Sequence, residues 1–203
     1  DSEEAIEAYA DHLATHGVRA SAFMLGNDFN REDSDAEVQW VIKVVEAAAA
    51  LAIPAVRIDA IMTGEREMPL DARVAHFAGC MKRVLDKTDY HIVEMGIENH
   101  GFQGNDPDFL DRVLDSVGSD RLGLTLDTGN FYWAGHPLSR VYQIIEHFAP
   151  RTKHTHAKNI NYPKEYRETQ RELGWEYGTY VSPLPDGDVD HARVVKILRD
   201  AGY

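Results

Sequence analysis

Segments of helical and of strand character alternate along this chain from end to end, and that alternation limits its fold more than any other feature. A helix starts with Asp1 as cap and Glu4 at its third position, runs through Ile6, Tyr9, Ala10 and Leu13, and stops at Gly17. A strand over 18–25 is broken by Gly26-Asn27-Asp28, and a helix over 35–52 is ended by Pro54. Next come a strand over 55–60, a helix over 70–87 and a strand ending near Glu98. A helix over 106–118 has Asp106 or Asp108 near its cap, and the strand "LGLTLD" (122–127) follows it. A helix over 137–149, a strand over 152–159 and a helix over 190–202 complete the series.

Five strands separated by helices imply parallel βαβ units, and their Val, Ile and Leu content suits strands covered on both faces. Either an open doubly wound sheet or a (β/α)8 barrel produces this pattern. No GxGxxG or P-loop sequence follows a strand, which disfavours the nucleotide-binding sheet. The 203 residues suffice for one core and are too few for two comfortable domains. The stretch 160–188 lacks clear periodicity and exceeds ordinary loop lengths, so a functional lid or loop is expected there.

The strand ends carry the chemistry. One strand finishes at Glu98, the next at Asp127, and the next in His154 and His156. Glu98 to Asp127 and Asp127 to His156 are each 29 residues apart, about one βα unit. Parallel strands bring such positions to one end of a sheet, the end where barrels and open sheets both place their active sites. Two carboxylates held close together repel unless a cation lies between them, so the grouping points to a metal site. Oxygen-rich ligation with one imidazole favours Mn²⁺, with Mg²⁺ and Co²⁺ as alternatives, over a thiolate-type Zn²⁺ site. Three protein ligands leave positions for water or substrate, as a catalytic site requires. Arg57, inside a strand, is placed to pair with a rim carboxylate or with substrate.

Composition narrows the partners. A net charge of −13 with no stripe of Lys and Arg argues against nucleic acid and against a membrane surface. The longest apolar run, 40–56, is interrupted by Lys43, Glu46 and Pro54 and is no membrane span. No basic segment followed by an apolar one marks a secretory signal within these residues. Cys80, the one cysteine, reads as a core thiol and suits a reducing, cytoplasmic compartment.

"IENHG", "LTLDTGNF", "HTHAKN" and "DGDVDHARVVKILRDAGY", in that order, resemble the xylose isomerase-like sugar isomerases and epimerases, which include ketose 3-epimerases and inosose dehydratase-like proteins. The resemblance covers nearly the whole chain. It implies a (β/α)8 TIM barrel with a divalent metal held by Glu, Asp, His and a second Glu from four successive strands. On the matching positions, Glu98, Asp127 and His156 are the first three ligands, and Glu98 doubles as an acid/base group. Asn130, His154, Lys158 and His100 face a small sugar substrate. Phe131, Tyr132 and Trp133 either wall the pocket or pack the next helix.

The implied reaction is isomerisation or epimerisation of a keto sugar or polyol, by Glu-mediated proton transfer through a metal-stabilised enediolate. Dehydration replaces the second protonation in inosose-type relatives. The fourth ligand belongs to a strand following the last helix, and two further strands precede the first. The 203 residues therefore match about strands three to seven of a barrel domain truncated at both ends. A longer chain or a partner, a homo-oligomer included, is expected to cover the open edges. Two other readings stand beside this one. One is a non-catalytic member that binds a sugar or a partner protein. The other is an endonuclease IV-type apurinic endonuclease, which the acidic balance disfavours.

Overall fold

The computed structural model describes residues 3–203 and shows a curved parallel sheet with helices on its outer face. The first elements are α1 (Glu3–Thr15), β1 (Ala22–Met24), α2 (Ser34–Ala50), β2 (Ala55–Ile58), α3 (Leu70–Lys87), β3 (Glu94–Glu98) and α4 (Pro107–Val117). They are followed by β4 (Leu122–Asp127), α5 (Asn130–Trp133), α6 (Leu138–Phe148), β5 (Thr152–His156), β6 (Asn159–Ile160), α7 (Tyr177–Tyr180), β7 (Val181–Ser182) and α8 (His191–Asp200). The five strands β1 to β5 lie side by side in sequence order and all run parallel. This is an incomplete (β/α) barrel, as the family resemblance implied.

Local chemistry sets the helix ends. Asp33, Asp106 and Asp190 each cap a helix by accepting a backbone N–H, and Pro107 fills the first position of α4. Gly118, in the left-handed conformation, closes α4. The predicted cap Asp1 lies outside the described residues. Strand β1 is shorter than its apolar stretch suggested: its register with β2 covers Ala22–Met24, and one further bond, from the Leu25 N–H to the Arg57 carbonyl, ends the pairing.

The central strands are buried on both faces, as their composition suggested, but the two faces differ in chemistry. Met95, Ile97, Leu122, Leu124 and Leu126 are buried on the helix side with Phe77, Phe109, Val113 and Ile145. The alternate positions, Gly96, Glu98, Thr125 and Asp127, face the barrel interior. Gly96 is required there: a Cβ would stand 2.4 Å from the Thr125 hydroxyl and 2.6 Å from its backbone nitrogen. On β5, Leu124 pairs with Thr152 but Thr125 pairs with His154, so Lys153 is an extra residue, a bulge. Lys153 reaches Glu94 at 2.8 Å.

The stretch expected to be one long lid or loop is ordered and folds back on itself. β6 and β7 form a small antiparallel pair, and Tyr162, Trp175 and Tyr180 stack beside it. Arg171 holds it closed: its guanidinium lies 4.6 Å from the Tyr132 ring centre and 4.5 Å from that of Tyr162. The same group donates to the carbonyls of Tyr132 and His136 at 3.2 and 3.0 Å. Among the described residues no helix is long and apolar enough to cross a membrane.

Candidate metal centre

Glu98, Asp127 and His156 end β3, β4 and β5, and one ligand atom from each lies within 4.8 Å of the others. Asp127 pairs directly with His156 across the β4–β5 ladder. Glu98 pairs with Thr125, two residues before Asp127. Equal sequence spacing is therefore not equal register. The strands are staggered, as barrel closure demands, and the inward positions still converge.

Both carboxylates are buried, with side-chain exposures of 7% for Glu98 and 5% for Asp127. Glu98 Oε1 lies 2.8 Å from His156 Nδ1. Glu98 Oε2 accepts from Arg57 Nε at 2.5 Å, and Arg57 Nη2 contacts the same oxygen. Burial pushes the Glu98 carboxyl up, but the His156 hydrogen bond and the Arg57 guanidinium more than offset it, leaving it below its ordinary value. At Asp127 burial wins: it outweighs Lys158 and the Gly129 N–H, and this carboxyl lies above its ordinary value. One acid is held ionised and its neighbour is poorly compensated.

These residues fit a divalent cation. His156 Nε2 is buried with no hydrogen-bond partner among the described residues, and Lys158, 3.6 Å from Asp127 Oδ2, does not offset the burial of that carboxylate. Bonds of about 2.1 Å to one cation would put neighbouring ligand atoms about 3 Å apart, so the three side chains would have to close in from their observed spread of up to 4.8 Å.

The other predicted residues gather at the same rim. Lys158 Nζ donates to Asn130 Oδ1 at 2.5 Å and lies 3.6 Å from Asp127 Oδ2, while Asn130 Nδ2 is buried without a partner among the described residues. His154 stands beside His156, ring centres 5.3 Å apart, and burial first, then His156, lowers its basicity. His100 Nδ1 lies 3.3 Å from Arg57 Nη2 and 3.4 Å from Asp59 Oδ1, and this contact with Asp59 raises its basicity. Phe131 and Tyr132 are fully buried, and Phe131 stacks on Phe148, the packing role that is the second of the two readings for this stretch.

Sequence reasoning missed Asp59, which bonds Arg57 at 3.0 Å, and Tyr177, whose ring centre is 5.7 Å from Lys158 Nζ. Asp59 also ends a strand-like stretch, "VRIDA", and that position was the available signal. Tyr177 comes from the refolded segment and had none.

A parallel half-barrel with its polar residues collected at the C-terminal strand ends defines a TIM-barrel-type domain. The profile of the xylose isomerase-like TIM barrel family matches residues 1–203, and the chain belongs to that family. Over 98 residues it is 30% identical to an inosose dehydratase of Yersinia enterocolitica, covering 46% of this chain and 32% of the relative. The match thus spans about a third of that relative's length.

Among solved structures, a xylose isomerase-like TIM barrel protein from Mycobacterium smegmatis in complex with magnesium superposes with a TM-score of 0.73 at 18% identity, covering 100% of this chain and 70% of the other. The IOLI protein with a bound zinc atom gives 0.70 at 16%, covering 100% and 70%. D-allulose 3-epimerase from Methylomonas sp. in complex with D-allulose gives 0.66 at 18%, covering 98% and 65%. At such identities the likeness speaks for the fold.

Proposed function

We propose that this chain carries much of the active site of a divalent-metal-dependent sugar isomerase or epimerase, acting on a keto sugar or related polyol. The carrying observation is the buried group of Glu98, Asp127 and His156, with one ligand atom from each within 4.8 Å of the others. The D-allulose in the Methylomonas enzyme and the likeness to an inosose dehydratase support a polyhydroxylated carbonyl substrate.

Asp127, His156 and Glu98 would hold the cation, Mn²⁺ by our preference, with Mg²⁺, Co²⁺ and Zn²⁺ to be compared. When bound, the cation supplies Lewis-acid polarisation of substrate oxygens. Glu98, kept ionised by His156 and Arg57, is placed to take a proton from the carbon beside a substrate carbonyl. Arg57 cannot take the proton back, since a guanidinium stays charged, so it orients the carboxylate and holds its charge. Lys158, His100 and His154 offer hydrogen bonds to substrate hydroxyls from the rim, and the free Asn130 Nδ2 offers another.

Asp127→Asn tests the reading. Metal content of the purified variant should fall to background while its circular dichroism stays that of the parent. Unchanged metal content would refute the ligand assignment. Interconversion of a panel of ketoses and inososes by the parent protein then separates an enzyme from a non-catalytic sugar binder.

A further inference from the structure

The backbone ladder between β3 and β4 ends at the pair Glu98–Thr125, yet Asp127 lies two residues further on. What holds Asp127 to β3 is a side chain. Asn99, fully buried, donates from Nδ2 to the Asp127 carbonyl at 2.9 Å and accepts the Asp127 N–H on Oδ1 at 2.7 Å. A carboxamide carries a donor and an acceptor in one plane, as a peptide unit does, so it can serve as one more rung of the ladder.

The device recurs at alternate strands. Asn27, after β1, clasps the backbone of Asp59 with bonds of 3.3 and 2.8 Å. Asn159, the first residue of β6, clasps Val189 with bonds of 2.9 and 3.0 Å. One clasp of the three joins two members of the ligand group. Asn99 is covalently next to Glu98 and grips Asp127, while the β4–β5 ladder fixes Asp127 to His156.

We propose that Asn99 is a positioning residue of the metal centre, setting the separation of the Glu98 and Asp127 carboxylates. The inference rests on the reading of Glu98, Asp127 and His156 as metal ligands. Residues that orient ligands from behind typically cost 10–100-fold in metal affinity when removed.

Asn27 provides the control, because its clasp is chemically the same but grips Asp59, which is no ligand and reaches Glu98 only through Arg57. Mn²⁺ affinity by titration calorimetry and metal-free Tm are measured for the parent and for Asn99→Ala, Asn27→Ala and Asp127→Asn. Both alanine variants should lose comparable amounts of Tm. Asn99→Ala alone should bind Mn²⁺ about 10–100-fold more weakly, with Asn27→Ala within about threefold of the parent.

Equal affinity of Asn99→Ala and the parent overturns the proposal, as does an equal loss in Asn27→Ala. If Asn99→Ala does not fold, Asn99→Leu, which fills the volume without either hydrogen bond, is judged by the same criterion. No Mn²⁺ binding by the parent, or undiminished binding by Asp127→Asn, refutes the site reading itself and the proposal with it. Loss in Asp127→Asn with none in Asn99→Ala refutes the positioning role alone.

Discussion

Glu98 Oε1 and His156 Nδ1 meet at 2.8 Å, while the other imidazole nitrogen is buried with no partner among the described residues. Two strands are thus joined by a contact that satisfies half of a histidine. A cation that binds only the folded arrangement of Glu98, Asp127 and His156 should stabilise the folded chain and leave the unfolded chain unaffected.

Metal addition is accordingly expected to raise the melting temperature. At a free cation concentration 100-fold above Kd the gain is about 2.7 kcal/mol. For a chain of this size that corresponds to roughly 5–10 °C. Differential scanning calorimetry in chelator and then in Mn²⁺ checks it, and coincident curves would count against metal binding.

Asp127→Asn should make the metal-free protein more stable at neutral pH. Burial raises the Asp127 carboxyl above its ordinary value, so its ionisation opposes folding. A raised acid contributes its stability below the unfolded pKa and loses it as pH rises through the folded one. The variant's advantage should therefore be present at pH 7 and vanish on acidification toward about pH 4, the ordinary aspartate range. Urea denaturation at the two pH values reads this directly. A variant less stable than the parent at pH 7 would contradict it.

The interior face tolerates no added carbon at two glycines. A Cβ on Gly123 would stand 1.9 Å from the Arg151 carbonyl oxygen, and one on Gly96 2.4 Å from the Thr125 hydroxyl. Gly96→Ala and Gly123→Ala should each cost about 3 kcal/mol or more, at the upper end for overpacking. Gly79→Ala, in an exposed turn of α3 with open space around it, should instead gain about 0.5–1 kcal/mol. Chemical denaturation of the three variants gives the comparison, and similar values for all would refute the packing argument.

Arg171→Met should loosen the stretch between β6 and β7. It removes two ring contacts and hydrogen bonds to the carbonyls of Thr169, Tyr132 and His136, at a cost of about 2–4 kcal/mol. Limited proteolysis should cut the variant between residues 162 and 180 while the parallel sheet stays intact. Protection equal to the parent's would show that the aromatic stack suffices alone.

Much of this was legible in the sequence because it depends on local pattern. Apolar alternation gave β3 and β4, Asp106 and Pro107 marked the start of α4, and the residue types at the strand ends marked the rim. The stagger that pairs Glu98 with Thr125 was not legible, since it follows from closing a curved sheet. Asn99 looks like any turn residue in "IENHG", and its clasp on Asp127 spans 28 residues. Arg171 and Tyr177 belong to a stretch whose order comes from distant rings, and local periodicity could not report it.

The bulge at Lys153 has a consequence for how such a site is lost. Counted by twos from Thr152, His154 and His156 would point toward the helices; the one extra residue turns both imidazoles inward. If β5 slid by a single residue and absorbed the bulge, the rim would keep every ligand in its sequence and lose the histidine from its geometry. Chain length at this point therefore governs the chemistry as strictly as residue identity does, and an insertion or deletion here would silence a site that still reads as intact letter by letter.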